Sequence, residues 1–408
     1  MNISTDKPDP QQGIQEIFIT SSDSGRVKIQ YNSPLNYTDI VQLSSANNFQ
    51  YVKRIMPLDL ASPLNDQLNV AIVVSSEMDI SVQANKAETG SGDGYLALPI
   101  TAQSKTFFLA SYSTFVPMNA EFSIVSPFND TCISISYVRG NSGGYRLMHL
   151  SMKANDVYHA GSPDFDYTGI YIASSQPIAV YSGHSCAMIP VTTLYCDHVV
   201  EQVPPLTQWG SLFIMSSFYG RPWGVGYRIR VVAQTDINVT YTVQWFDANN
   251  NPSTWNIFRT VSLVRGEWDE ASLENISTKN AIVVMVNCTS DCLVMQYDPS
   301  FQVLNASGPG ETAQPDPFMV TVPPLNHYPQ NVRFSTSRHY KNGSDYECVN
   351  GITIVANTAD VNANKIYLDG IPLSSIGKPR LIQITHPRRT TCSITYTCTC
   401  LHMHTCVY

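Results

Sequence analysis

The chain has 408 residues, 43% of them apolar, and a formal net charge of −8 with only 14% charged residues. That length holds roughly two to four domains. The lack of a basic cluster excludes the electrostatic footprint of a nucleic-acid binder, and apolar runs such as AIVVMV from Ala281 fall far short of a membrane span.

In chain order, a hairpin signature recurs: alternating apolar residues, a polar turn, then alternation again. It reads IFITSSDSGRVKIQY from Ile17, FSIVSPFNDTCISISY from Phe122, YRIRVVAQTDINVTYTV from Tyr227 and ITIVANTADVNANKIYL from Ile352, the first three about 105 residues apart. A second hairpin is predicted after it three times, at NVAIVVSSEMDISVQ from Asn69, GIYIASSQPIAVYSG from Gly169 and IVVMVNCTSDCLVMQY from Ile282. A third element is a proline with an apolar strand after it: Pro99 to Phe107, Pro205 to Phe213 and Pro324 to Val332.

The expected fold is all-β, built of tandem antiparallel β-sandwich-like units of about 105 residues. The alternative is a closed, β-propeller-like assembly. Units are expected at residues 1–95, 96–203, 204–320 and 321–408, with stiff joints at Leu98-Pro99, Val203-Pro204-Pro205 and Val322-Pro323-Pro324. The fourth unit lacks the second hairpin. Its TCTC and HMHTCVY stretches can be written in alternating purine and pyrimidine codons, so residues from about 388 onward are expected to be a non-native tail. No hydrophobic leader follows Met1, so secretion implies a leader outside this sequence.

Low charge, together with abundant Ser, Thr, Asn and Tyr, suits extracellular β-structure, in which ten cysteines favour disulfides. Cys186 and Cys196 bracket a nine-residue loop, Cys288 and Cys292 flank a predicted hairpin turn, and Cys132 and Cys348 form a possible third pair. His184, Cys186, Cys196 and His198 also make an H-x-C and C-x-H set, the alternative being a tetrahedral zinc site. In the tail, Cys392, Cys398, Cys400, His402, His404 and Cys406 share even positions, a metal strip if that stretch is native. Sequons place glycan candidates at Asn2, Asn36, Asn129, Asn238, Asn275, Asn287, Asn305 and Asn342.

Enzyme signatures are missing: no nucleophile elbow, H-E-x-x-H helix, phosphate loop or dinucleotide fingerprint. The run from Asp247 fails as a calcium loop, with Pro252 in place of the glycine and Phe258 in place of the bidentate Glu. Asp164 with Asp166, and Glu267 with Asp269 and Glu270, are paired carboxylates in polar connections, where solvation is the ordinary role. No cofactor is implied. The Gly-rich stretch FYGRPWGVGY from Phe218 gathers Tyr219, Arg221 and Trp223, with Arg228 just beyond, the residue types of binding hot spots.

GHSC from Gly183, followed by YCDHVVEQVPPLTQWG from Tyr195, resembles the amino-terminal domain family of IgG Fc-binding proteins, secreted mucus glycoproteins with invertebrate and bacterial relatives. The resemblance runs more thinly from about Phe18 to about Pro387. It implies a secreted, disulfide-bonded, non-catalytic module that binds protein or glycan in mucus or matrix. Immunoglobulin Fc and mucins are partners on the strength of the resemblance alone, and it favours the Cys186–Cys196 disulfide over zinc. The competing expectations are a structural spacer and a metal-dependent hydrolase.

Overall fold

The computed structural model describes residues 14–32, 36–55, 64–88, 91–113, 115, 117–139, 144–193, 196–216, 226–246, 253–273, 281–300, 317–328, 331–335, 339–341, 344–346, 350–356, 358–368, 371–375, 382–384, 391–395 and 399–403. The fold is all-β, in antiparallel sheets, with one five-residue helix, α1 (Thr358–Asn362), among the described residues. Two compact units divide the chain: Met1–Ala187 with Asp197–Gln208, and Met188–Cys196 with Trp209–Tyr408.

The first unit contains two strand sets. One comprises β1 (Ile14–Ser21), β2 (Gly25–Tyr31), β3 (Tyr37–Leu43), β4 (Gln50–Ile55), β5 (Asp66–Leu68), β6 (Val73–Ser76), β7 (Ile80–Glu88) and β8 (Ser91–Leu96). Its sheets run β4-β1-β7-β8 and β3-β2-β6, while β5 joins the next set. Alternation turns Ile17 and Ile19 of β1 and Val27 and Ile29 of β2 into one core with Leu43 and Ile55. The second set comprises β9 (Ser104–Phe108), β10 (Ala120–Val125), β11 (Thr131–Arg139), β12 (Gly144–Met152), β13 (Val157–Ser162), β14 (Tyr171–Ala187) and β15 (Asp197–Gln202).

The second unit begins with β16 (Gly210–Ser216), β17 (Arg228–Ala233), β18 (Ile237–Phe246), β19 (Asn256–Leu263), β20 (Trp268–Ser272), β21 (Ala281–Asp298) and β22 (Phe318–Thr321). Its inward residues, among them Phe213, Tyr227, Tyr241, Val284 and Val286, form a single buried cluster. After it come β23 (Asn331–Ser335), β24 (His339–Lys341), β25 (Ser344–Tyr346), β26 (Asn350–Ala356), β27 (Tyr367–Leu368), β28 (Ile371–Pro372), β29 (Ile382–Ile384), β30 (Thr391–Thr395) and β31 (Thr399–Met403). The last two lie in the stretch expected to be a non-native tail. There β30 pairs with β23 and β27, and β31 pairs with β26.

Neither the predicted first hairpins nor the second ones are hairpins. β1 pairs with β4 and β7 and not with β2, β10 with β13 and β14 and not with β11, β17 with β20 and β21 and not with β18, and β26 with β29 and β31 and not with β27. GIYIASSQPIAVYSG lies in β14, whose first part pairs with β11 and β9 and whose second part pairs with β10 and β15. β21 behaves alike, pairing first with β18 and β16, then with β17 and β22. In the first set the two arms are separate strands, β6 against β2 and β7 against β1, and again the arms do not pair with each other. Each arm has an apolar inward face that needs a sheet to cover it, so the chain crosses between sheets where alternation predicts a reversal.

Each predicted joint proline starts a tight turn that leads into a strand. The Ala102, Gln208 and His327 N–H groups donate to the carbonyls of Pro99, Pro205 and Pro324 at 2.9, 2.8 and 2.9 Å. Gly183 is required where β14 approaches β15, since a Cβ there would run into the Val199 carbonyl oxygen.

Candidate functional site

The cavity that matters is lined mostly by the first strand set, with Tyr181 of β14 and Val200 of β15 completing it. It has a volume of about 90 Å³. Val74 of β6 and Val82 and Ala84 of β7 give it an apolar wall, while Lys86, Asp93 and Tyr95 bring polar groups to one end. β pairing sets this arrangement, with Lys86 opposite both Gln15 and Asp93, so all three share the inward face. Gln15 is 4% exposed, and neither atom of its amide has a hydrogen-bond partner. Burial pushes the Asp93 carboxyl well above its usual range, although it accepts from the Val200 and Gly94 N–H groups at 2.9 and 2.8 Å.

Beside it, Tyr95 and Tyr181 meet edge to face with centroids 5.0 Å apart. Burial raises both phenols, that of Tyr181 to about 12. Asp197 accepts from the Ser91 hydroxyl at 2.5 Å, from the Gly92 N–H at 3.0 Å and from the His198 N–H at 2.7 Å, tying β8 to β15.

His184 and His198, half of the alternative zinc set, are both buried. Burial lowers the first to about 4 and pushes the second well below its usual range. The His184 Nδ1 accepts from the Cys186 N–H at 3.1 Å. Cys186 and Cys196 are disulfide-bonded, and a disulfide sulfur is not the thiolate that zinc requires. Among the described residues no group of three or more His, Cys, Asp or Glu converges as a metal site.

Cys288 and Cys292 form a disulfide with a Cα separation of 6.6 Å, placed within β21 where its pairing partners change and not across a hairpin turn. The suggested Cys132–Cys348 pair is corrected in part: Cys132 carries a free, exposed thiol on β11, and Cys348 lies outside the described residues. Tyr219, Arg221 and Trp223 also lie outside them.

Arg228 has a structural partner, donating to Glu270 at 2.6 Å, and the buried Arg230 donates to the other oxygen at 2.7 Å. Asp269 accepts from Tyr241 at 2.9 Å and from Arg259 at 2.5 Å. Of the carboxylates weighed as a glycosidase pair, Asp269 and Glu270 are therefore held in place by arginines and a phenol, and Glu267 accepts from the Val264 N–H at 3.0 Å. Asp166 is similarly engaged, accepting from the Thr168 N–H and hydroxyl at 3.0 and 2.6 Å.

Of the sequon asparagines, Asn36, Asn129, Asn238 and Asn287 are exposed, while Asn2, Asn275, Asn305 and Asn342 lie outside the described residues. Two sequons interlock on one sheet face: Thr240 lies opposite Asn287, and the Thr289 hydroxyl accepts from the Asn238 N–H at 3.0 Å.

The model of the IgGFc binding protein family matches residues 93–399. The chain belongs to this family. Against the human IgGFc-binding protein, it is 30% identical over 152 residues, 36% of the chain. That stretch is 3% of the human protein, so the chain spans a small fraction of this IgGFc-binding relative. The IgGFc-binding match starts within β8, so β1 to β7, which build most of the cavity, precede it. No helix among the described residues is long and apolar enough to cross a membrane.

Sequence reasoning missed the cavity because Gln15 is far in the chain from Lys86 and Asp93, and all three are ordinary in type.

Proposed function

We propose that the chain is a secreted binding module that engages a protein or glycan partner in mucus or extracellular matrix. The observation that carries this reading is the match over residues 93–399 to a family named for binding. Exposed sequon asparagines and a disulfide within β21 support an oxidising, extracellular setting. In this reading the tandem units meet near Pro99, Pro205 and Pro324, each at the tight turn that opens a strand, and Cys186 pairs with Cys196.

The contact surface is assigned to Tyr219, Arg221 and Trp223, aromatic and guanidinium groups on a Gly-rich segment. Arg228 is set aside, because Glu270 holds its guanidinium. Immunoglobulin Fc, named in the family description, and mucin glycans are the first partners to test. The chain, secreted from a eukaryotic host, is passed over immobilised Fc and mucin. Trp223→Ala is expected to weaken capture by about 1 kcal/mol or more with an unchanged melting temperature. Absence of binding to either surface by folded, glycosylated protein defeats the reading, and a melting point several degrees lower with capture intact moves the contact elsewhere.

A further inference from the structure

In the second unit, the pairing of β19 with β18, β18 with β21 and β21 with β16 sets side chains in rows across four strands. Alternate residues, such as Val239, Tyr241 and Val243 on β18 and Val284 and Val286 on β21, are buried in the core. The residues between them therefore face outward. One outward row reads Thr260, Thr240, Asn287 and Leu212. The next, two residues or about 7 Å along the strands, reads Ile257, Thr242, Met285 and Ile214.

Neither row carries a charge, whereas the outward residues of β17 and β20 include Arg228, Arg230 and Glu270, joined in ion pairs. The second row is apolar at three of its four places, Leu212 extends it, and Ile257 is 72% exposed. A contiguous apolar stretch on the solvent side of a sheet marks a surface with a further task. Asn287 stands in the middle of this face, on the central strand, opposite Leu212 and one step from Met285. It is exposed and heads the sequon Asn287-Cys288-Thr289. Asn238, the sequon residue of β18, lies on the side away from the apolar row, and its carboxamide oxygen accepts from the Ser262 hydroxyl at 2.7 Å.

We propose that an N-linked glycan on Asn287 lies along this face and covers the row from Ile214 to Ile257. The Asn287 amide nitrogen gives up a proton and bonds to C1 of an N-acetylglucosamine supplied by a lipid-linked oligosaccharide diphosphate. The phosphate–C1 bond of that donor breaks, and the lipid diphosphate leaves with the proton. The sugar nearest the protein then offers its acetyl methyl and ring C–H groups to Met285 and Leu212, and its hydroxyls to Thr240 and Thr242. An uncharged face matches the neutral core of a glycan, and a bulky group rooted at its centre keeps a polypeptide off it. The inference rests on the secreted setting proposed above and not on Fc or mucin as partners.

The test uses the full chain, secreted from a eukaryotic host and mapped glycopeptide by glycopeptide. A glycan held against the face is shielded from trimming, so Asn287 is expected to keep oligomannose sugars while the exposed Asn36 of the first unit carries processed ones. Asn238→Gln removes crowding by the neighbouring sequon and is expected to leave Asn287 under-processed. Ile257→Thr, at an exposed site, is expected to raise the processed fraction at Asn287 several-fold. Asn287→Gln is expected to raise the binding of an apolar dye several-fold, and Asn36→Gln to leave it unchanged. A bare Asn287, full processing there in Asn238→Gln, or equal dye binding by the two glutamine variants overturns the proposal. Should Asn287→Gln fail to be secreted, the mapping of Ile257→Thr decides, and an unchanged Asn287 glycan there overturns it. Lack of Fc and mucin capture with this glycan pattern intact sinks the previous section alone, and a bare Asn287 with capture intact sinks only this inference.

Discussion

The set of β16 to β22 and the set of β1 to β8 share most of their strand pairing, yet only in the former does a described strand stand beside the shared position: Phe213 pairs with Val286, and one buried cluster runs from Phe213 to Val322. In the set of β1 to β8 a cavity lies beside Val74 and reaches the unpartnered Gln15 amide and the buried Asp93. The comparison teaches that the same order of pairing leaves space or fills it according to whether a strand brings a buried aromatic ring to that position.

The sharpest way to break this comparison is to remove the closing ring. Phe213→Ala is expected to cost about 3–5 kcal/mol, the range for a buried phenylalanine, whereas Val74→Ala, at a half-buried edge, is expected to cost about 1 kcal/mol or less. Urea unfolding of the two variants measures both, and equal costs would show that the first set is as closed as the third.

Acid comes next in size. The folded His184 is lowered to about 4, below its ordinary 6.5, so between those pH values the unfolded chain binds the extra proton. Stability is full above about pH 6.5 and falls by about 3 kcal/mol as the pH drops to about 4. The His198 shift has the same direction, and both residues belong to the first unit. Hydrogen exchange at graded pH is expected to show the first unit loosening before the strands of β16 to β22. His184→Phe should flatten part of that slope, and an unchanged slope would remove the residue from the account.

The disulfide is a smaller lever. Serine at both Cys288 and Cys292 is expected to lower stability by about 2 kcal/mol, the chain-entropy value for so short a loop. The loss should fall on the second unit, where β21 crosses between sheets, and leave β1 to β8 unmoved. The smallest expected effect is on modification. Asn238 and Asn287 are diagonal neighbours on one face, a spacing of about 7–8 Å in an antiparallel pair. Glycopeptide mapping of secreted protein is expected to find full-size, processed glycans on one of the two far more than on both. Equal, fully processed occupancy at both would show that the face is roomier than this geometry implies.

Much was legible from residue order alone. Alternation located the strands β1, β2, β10, β11, β17 and β18, because a half-buried strand must place every second side chain on the core, but not their partners, since consecutive strands in this list do not pair with each other. Proline marked the turns before β9, β16 and β23, because a fixed φ and a missing N–H end a ladder. The family was legible in the run from Gly183 to Gly210. What alternation does not encode is the partner of each strand. The arms around Gln176-Pro177 and around Cys288 to Cys292 have the pattern of hairpins, and only the need of each inward face for a covering sheet sends the arms apart. The same holds for the cavity beside Val74. The sequence there is that of any buried strand, and whether a phenylalanine stands beside it depends on long-range pairing that only the tertiary structure decides.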